Sequence, residues 1–95
     1  MSASVSITIQ VPRALRDLCD GSSTLALSAA SVREVLEEIE RLHPSIHRSI
    51  CDETGRLRHH VHLFVNSSLV RERQGMETML ASGDVITILP AVSGG

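Results

Sequence analysis

Lysine, tyrosine and tryptophan are absent from this 95-residue chain, and Phe64 is the only phenylalanine. A core without aromatic rings must be aliphatic, filled by the Ile, Leu, Val and Met within the 42% apolar fraction. All nine basic residues are arginine and the formal net charge is −2. That balance argues against a nucleic-acid footprint, which needs a basic surplus, and against electrostatic docking on an anionic membrane. Only two cysteines occur, Cys19 and Cys51, with no Cys-x-x-Cys pair. Two are too few for a disulfide scaffold and read as reduced packing thiols. The amino terminus has neither a basic start nor an apolar block, so it does not read as a signal peptide. No apolar run approaches membrane-spanning length. These absences predict a soluble cytoplasmic protein with no nucleic-acid or membrane partner, and the length suits one domain.

What is present is regular. Val5, Ile7, Ile9 and Val11 alternate with polar residues, the period-two pattern of a half-buried strand, and Pro12 ends it. Asp20 to Ser23 reads as a turn, and Leu25 and Leu27 mark a second strand forming a hairpin with the first. Ser31 opens the clearest helix through a capping-box pattern with Glu34. Val32, Val35, Leu36, Ile39 and Leu42 form its apolar stripe, Glu37 and Arg41 pair on its outer face, and Pro44 stops it. A further helical turn over 45–50 would point Ile46 and Ile50 inward. Val61, Leu63 and Val65 mark a third strand, Leu69-Val70 a short fourth one. The connector after Gly75 buries Met76, Met79 or Leu80, and Gly83-Asp84 turns into a last strand, Val85 to Leu89, closed by Pro90. That last strand is apolar enough to be central, beside the first. One amphipathic helix on one face of a mixed four- to five-stranded sheet predicts an α+β, β-grasp fold. The expected division is a globular unit over 1–90 and a flexible tail over 91–95.

The tail, Ala91-Val92-Ser93-Gly94-Gly95, carries no bulky or charged side chain. Two successive glycines at a given place arise by chance roughly once in two hundred. Glycine lacks a Cβ and can thread a narrow tunnel. Five extended residues reach at most about 17 Å, far enough for a terminal carboxylate to enter another protein's active site. A carboxylate is a poor electrophile. It requires conversion to an acyl-adenylate before sulfur can be installed on its carbonyl carbon, and an unhindered glycine carbonyl suits both attacks.

The run Gly83-Asp84-Val85-Ile86-Thr87-Ile88-Leu89-Pro90-Ala91-Val92-Ser93-Gly94-Gly95, with Phe64-Val65-Asn66, resembles the ThiS/MoaD family of ubiquitin-like sulfur carriers. The resemblance spans essentially the whole chain. Within the family, Pro-Ala-Val-Ser-Gly-Gly most resembles the carrier that supplies sulfur for cysteine synthesis. It implies a sulfur carrier rather than an enzyme, or else the small subunit of a sulfur-transferring synthase. Gly95 would be the residue adenylated and converted to a thiocarboxylate, with Gly94, Ser93, Val92 and Ala91 threading the partner's tunnel. The implied partners are an adenylyltransferase of the ubiquitin-activating type, a sulfur-accepting biosynthetic enzyme and a metallopeptidase that releases cargo. No cofactor is bound; the partner consumes ATP. Cysteine, molybdopterin, thiamine and related metabolites are all candidate destinations.

Alternation places Phe64 and Leu89 as exposed apolar groups on the sheet face opposite the helix, beside His62 and above Pro90. These four are the expected partner-docking residues. His59, His60 and His62 cluster, with Cys51 as a conceivable sulfur ligand, yet no full four-ligand pattern exists and no metal is assigned. Arg56 and Arg58 make the same edge basic. No catalytic residue is assigned. The competing readings are a ubiquitin-like modifier joined through Gly95 to lysines on targets, and a small metal-binding or enzymatic protein using the histidines. Lacking lysine, the chain cannot build lysine-linked chains on itself.

Overall fold

A computed structural model describes residues 4–90. The two alternating segments form β1, Val5–Gln10, and β2, Thr24–Ala29. They pair antiparallel in unbroken register from Val5↔Ala29 to Gln10↔Thr24. After the crossover through α1, Val32–Leu42, and α2, Pro44–Ile50, the chain returns as β3, Val61–Val65, β4, Ser68–Leu69, and β5, Val85–Pro90. The sheet order is β2-β1-β5-β3-β4. β5 runs parallel to β1 and antiparallel to β3, so it is the central strand, as its apolar run predicts. This is the α+β, β-grasp arrangement expected from the sequence.

One sheet face and the helices enclose an aliphatic core. Ile7, Ile9, Leu27, Leu63, Ile86 and Ile88 enter from the strands; Val35, Leu36, Ile39, Ile46 and Ile50 meet them from α1 and α2. Full burial of each such side chain contributes about 1.5–3 kcal/mol, so shape-matched aliphatics suffice without aromatic rings.

The helix start shows how local chemistry and tertiary contact combine. Ser31 Oγ accepts from the Glu34 backbone N–H at 3.3 Å, as the capping pattern predicts. Glu34 Oε1 reaches back to the N–H of Ala30, at 2.9 Å. The connector locks onto the same end: Val32 N–H donates to Thr78 O and Leu80 N–H to Ala30 O. Buried Thr78 satisfies its own hydroxyl by donating to Gly75 O at 2.8 Å and accepting from Gln74 N–H at 3.2 Å.

Several local expectations change. The segment between Pro12 and the turn at Asp20, to which the sequence assigns no element, contains a 3-10 helix, Arg13–Cys19, that buries Cys19 and packs Leu15 against the core. At seven residues it is too short for a periodicity reading to mark it. Pro44 both stops α1 and opens α2 at its first position, where a missing N–H costs nothing. Leu42, expected on the apolar stripe, is 46% exposed because α1 ends there and the core lies behind. Arg41 pairs with Glu38, three residues away, instead of Glu37. In the connector Leu80 is buried and Met76 half-buried, whereas Met79 is 58% exposed. Val70 starts a 3-10 turn, Val70–Glu72, and is not part of β4.

Both cysteines are buried and free. Burial, reinforced by the Asp52 and Glu40 carboxylates, pushes the Cys51 thiol up to about 11. A thiol whose folded pKa lies above its unfolded value contributes stability that is complete below the unfolded pKa and lost as pH rises through the folded one. Native stability is therefore expected to fall between about pH 9 and 11; no lysine or tyrosine titrates in that window. Urea denaturation across the range should show the decline, and Cys51→Ala should flatten it. Ser31→Ala should cost about 1 kcal/mol in the same assay, with the denaturant slope unchanged.

Candidate functional site

The last strand and its end define the candidate site. β5 is fastened before it begins. Gly83, at φ 88°, allows the sharp turn, and its N–H donates to Ser6 O at 2.9 Å. Asp84 Oδ2 accepts from Ala81 N–H at 2.9 Å, and Asp84 Oδ1 accepts from Asn66 Nδ2 at 3.1 Å. Asn66, in the left-handed region at φ 55°, also exchanges with Val85: its N–H donates to Val85 O and its Oδ1 accepts Val85 N–H. The Asn turn after β3 and the Gly-Asp turn before β5, read separately in the sequence, are one hydrogen-bonded latch. Only their spatial pairing reveals it.

The register then sorts side chains onto faces. Directly opposed residues in a sheet share a face. His62 lies opposite Leu89, Phe64 opposite Thr87 on one side and Leu69 on the other, and Gln10 beside Thr87. All stand on the face away from the helices, since Leu63, Val65, Ile86 and Ile88 occupy the core face. Leu89 is 49% exposed. Phe64, expected as an exposed group, is half-buried because Leu69 and Thr87 flank its ring. His62 and Pro90 are half-buried as well. Gln10 was missed by sequence reasoning. Thr87 Oγ1 donates to its Oε1 at 3.1 Å, a polar pair beside Phe64. Alternation alone could have found it, because Gln10 is the polar partner of Ile9 on β1.

Leu89 is exposed for a topological reason. The ladder between β1 and β5 ends at Gln10↔Thr87, so no β1 residue flanks Leu89. A shallow cleft of about 420 Å³ opens there, lined by Gln10, Pro12, Arg16, Thr24 and Leu89. On the other side Pro90 still pairs with Val61. The tail residues Ala91, Val92, Ser93, Gly94 and Gly95 lie outside the described residues.

His59 and His60 are exposed in the turn before β3 and meet edge to face at 6.2 Å, whereas His62 sits within the strand. Cys51 caps α2 and is 1% exposed. Among the described residues, no group of three or more His, Cys, Asp or Glu is placed to hold a metal ion. Nor is any helix among them long and apolar enough to cross a membrane.

Comparison with known proteins supplies the lineage. The model of the ThiS family matches residues 9–95. The sulfur carrier protein CysO of Mycobacterium tuberculosis is 32% identical over 93 residues, covering 96% of this chain and 100% of that protein. The structure of the Amycolatopsis orientalis BexX/CysO complex superposes with a TM-score of 0.84 at 32% identity, covering 94% of this chain and 99% of that one. Small archaeal modifier protein 1 from Methanosarcina acetivorans superposes with a TM-score of 0.87 at 27% identity, covering 99% and 100%. Match length, identity and a central strand leading to a Gly-Gly end agree, and the chain belongs to the ThiS family of ubiquitin-like sulfur carrier proteins.

Proposed function

We propose that this carrier works through a thiocarboxylate on Gly95, formed after a partner enzyme adenylates that residue. The observation that supports it most is the placement of β5. The strand is held on both edges and by the Asn66–Asp84 latch, and its pairing runs to Pro90. Five small residues follow, ending in Gly94-Gly95. A rigid body thus presents its C-terminal segment at a defined point beside exposed Leu89.

In the proposed reaction the Gly95 carboxylate attacks the α-phosphate of ATP on the partner, releasing pyrophosphate and forming an acyl-adenylate. Hydrosulfide, or a thiolate equivalent, then attacks the carbonyl carbon; the bond to AMP breaks and AMP leaves with the electron pair. The product thiocarboxylate gives its sulfur to a biosynthetic acceptor. Ala91, Val92, Ser93 and Gly94 thread the partner's tunnel, while Leu89, Phe64, His62 and Pro90 dock outside it. The partner is an adenylyltransferase of the ubiquitin-activating type, working in the cytoplasm. A BexX/CysO complex exists for the Amycolatopsis relative, and similarity to CysO favours cysteine synthesis as the destination. A metallopeptidase would then release the extended product from the carrier.

The second reading, attachment through Gly95 to target lysines, draws on the likeness to the archaeal modifier. The same adenylate serves both, and only the nucleophile differs. Without lysine of its own, the chain could be attached singly but not polymerised through lysine.

Incubation with ATP, a cognate activating enzyme and sulfide, followed by thiocarboxylate-selective alkylation and mass spectrometry, should place the label on Gly95. Deleting Gly95 should abolish it. Absence of label under all such conditions, with isopeptide-linked products appearing instead, would replace the carrier reading by the modifier one. Phe64→Ala should weaken partner binding roughly tenfold, as expected for loss of an interface anchor. Its circular dichroism should remain that of the folded chain. Activation at the parental rate and affinity would remove Phe64 from the docking surface.

A further inference from the structure

The two edges of the sheet are unequal. On one side β4 has only two residues, Ser68–Leu69; on the other β2 runs for six, Thr24–Ala29. The direction of its backbone groups follows from the bonds around β1. Thr8 N–H donates to Asp84 O and Gly83 N–H to Ser6 O, so Ser6 and Thr8 turn their backbone toward the β5 side. Direction alternates along a strand, so Ile7 and Ile9 turn theirs toward Leu27 and Leu25, their register partners on β2. Val11 N–H, donating to Ser23 O at 2.8 Å, continues the alternation. Thr24, Ala26 and Ser28 therefore direct both N–H and C=O outward, where nothing among the described residues pairs with them. Sheets usually blunt such an edge with charge, proline or a bulge. Here the strand reads Thr-Leu-Ala-Leu-Ser-Ala, uncharged and without proline, and its register with β1 is unbroken. Its flank is apolar as well. Leu42, 46% exposed at the end of α1, shares a shallow groove of about 360 Å³ with Ala26, Leu27, Ser28, Glu38 and Arg41.

We propose that the partner of this edge is β2 of a second copy of the chain, paired antiparallel about a twofold axis through Ala26. The strand is complementary to itself. Directly opposed residues share a face, so even-numbered residues must meet even-numbered ones. Ala26 opposite Ala26 sets Thr24 opposite Ser28 and Leu25 opposite Leu27. Hydroxyl then meets hydroxyl on the outer face and leucine meets leucine on the core face. At the axis the side chain is a methyl group that obstructs nothing. Thr24, Ala26 and Ser28 are also the residues whose backbone groups point outward, so all three enter the new ladder. Centring on Leu27 instead would set Leu25 against Ala29 and Thr24 against Ala30, beyond the strand. No charge on the strand opposes its twin, and the charged pair at the flank, Glu38–Arg41, is already balanced within each copy. The exposed Leu42 of each copy stands beside the axis, because it lines the groove at Ala26. The twofold joins two five-stranded sheets edge to edge with the helices on one face. A contact of one strand pair and a helix flank belongs to the small class below about 1,200 Å², so the dimer is weak and reversible. β2 is separated from β5 by β1, so pairing leaves Leu89 and the end of β5 open in both copies. The inference does not depend on the chemistry proposed for Gly95.

The test uses the full chain alone in solution. The weight-average mass from sedimentation equilibrium should rise from 10.3 kDa toward twice that value as concentration increases to about 1 mM. Over the same range, hydrogen exchange at the amides of Thr24, Ala26 and Ser28 should slow. Exchange at Leu25 and Leu27, already bonded to β1, should be slow throughout. In a mixture of ¹³C-labelled and unlabelled chains, filtered cross-relaxation should connect Leu25 methyl groups with those of Leu27 in the other copy. Ala26→Lys sets two cations face to face at the axis and should raise the dissociation constant about tenfold or more. Its circular dichroism should stay that of the parent chain, because position 26 is exposed. If that variant fails to fold, Leu42→Glu at the exposed helix end takes its place, with the same direction of effect. A mass fixed at 10.3 kDa with fast exchange at the three amides would overturn the proposal, as would a dimer that neither variant weakens. Protection of those amides only on addition of an extended peptide would also overturn it, and would give the edge to a foreign strand.

Discussion

The pairing of β5 with β1 on one edge and β3 on the other is the constraint on which the rest depends. It brings the last strand of the chain to the centre of the sheet, where Ile86 and Ile88 are 0% and 2% exposed. Antiparallel pairing can be closed by a tight turn, but the parallel β1–β5 pair needs a crossover. The intervening helices supply it and cover the core face. Pulling on the C-terminal segment therefore loads the central strand of the sheet.

The latch at Asn66 and Asp84 serves the same constraint from the opposite end of β5. Strand pairing by backbone bonds alone permits register slips, and a one-residue slip would exchange Ile86 and Ile88 for Thr87 and Leu89 on the core face. Side-chain bonds from Asn66 to both Asp84 and Val85 exist in one register only. The correct register then sets Leu89 outward, and the early end of the β1 ladder leaves it uncovered. Core packing, register and the outer face thus follow from a single alignment.

Absences in composition shape the surface chemistry. With arginine as the only long cation, every strongly basic side chain keeps its charge at any pH a cell meets. The positive charge of Arg56 and Arg58, ahead of β3, is consequently permanent. The thiols are withdrawn: Cys51 is buried and its pKa raised, which disfavours the nucleophilic thiolate.

Much of this was legible from the sequence because it depends on neighbours along the chain. Period-two alternation marked β1, β2 and β3, a near-continuous apolar run marked β5, a capping serine and a 3.6-residue stripe marked α1, and the Gly-Asp, Pro and Gly-Gly punctuation marked the family. Burial strength even placed β5 beside β1. What failed depended on contacts distant in sequence. The Arg13–Cys19 helix is short, and the packing of Leu15 and Cys19 that stabilises it involves residues distant in sequence. Leu42 is apolar in pattern but overhangs the core, and Phe64 is half covered by residues from two other strands. The sequence by itself determined which faces each element would bury, because side-chain direction repeats with backbone geometry. Only the tertiary structure decided which exposed residues share a surface, that two turns form one latch, and that the β1 ladder stops short of Leu89. Those relations are set by strand order and register, which join residues far apart along the chain.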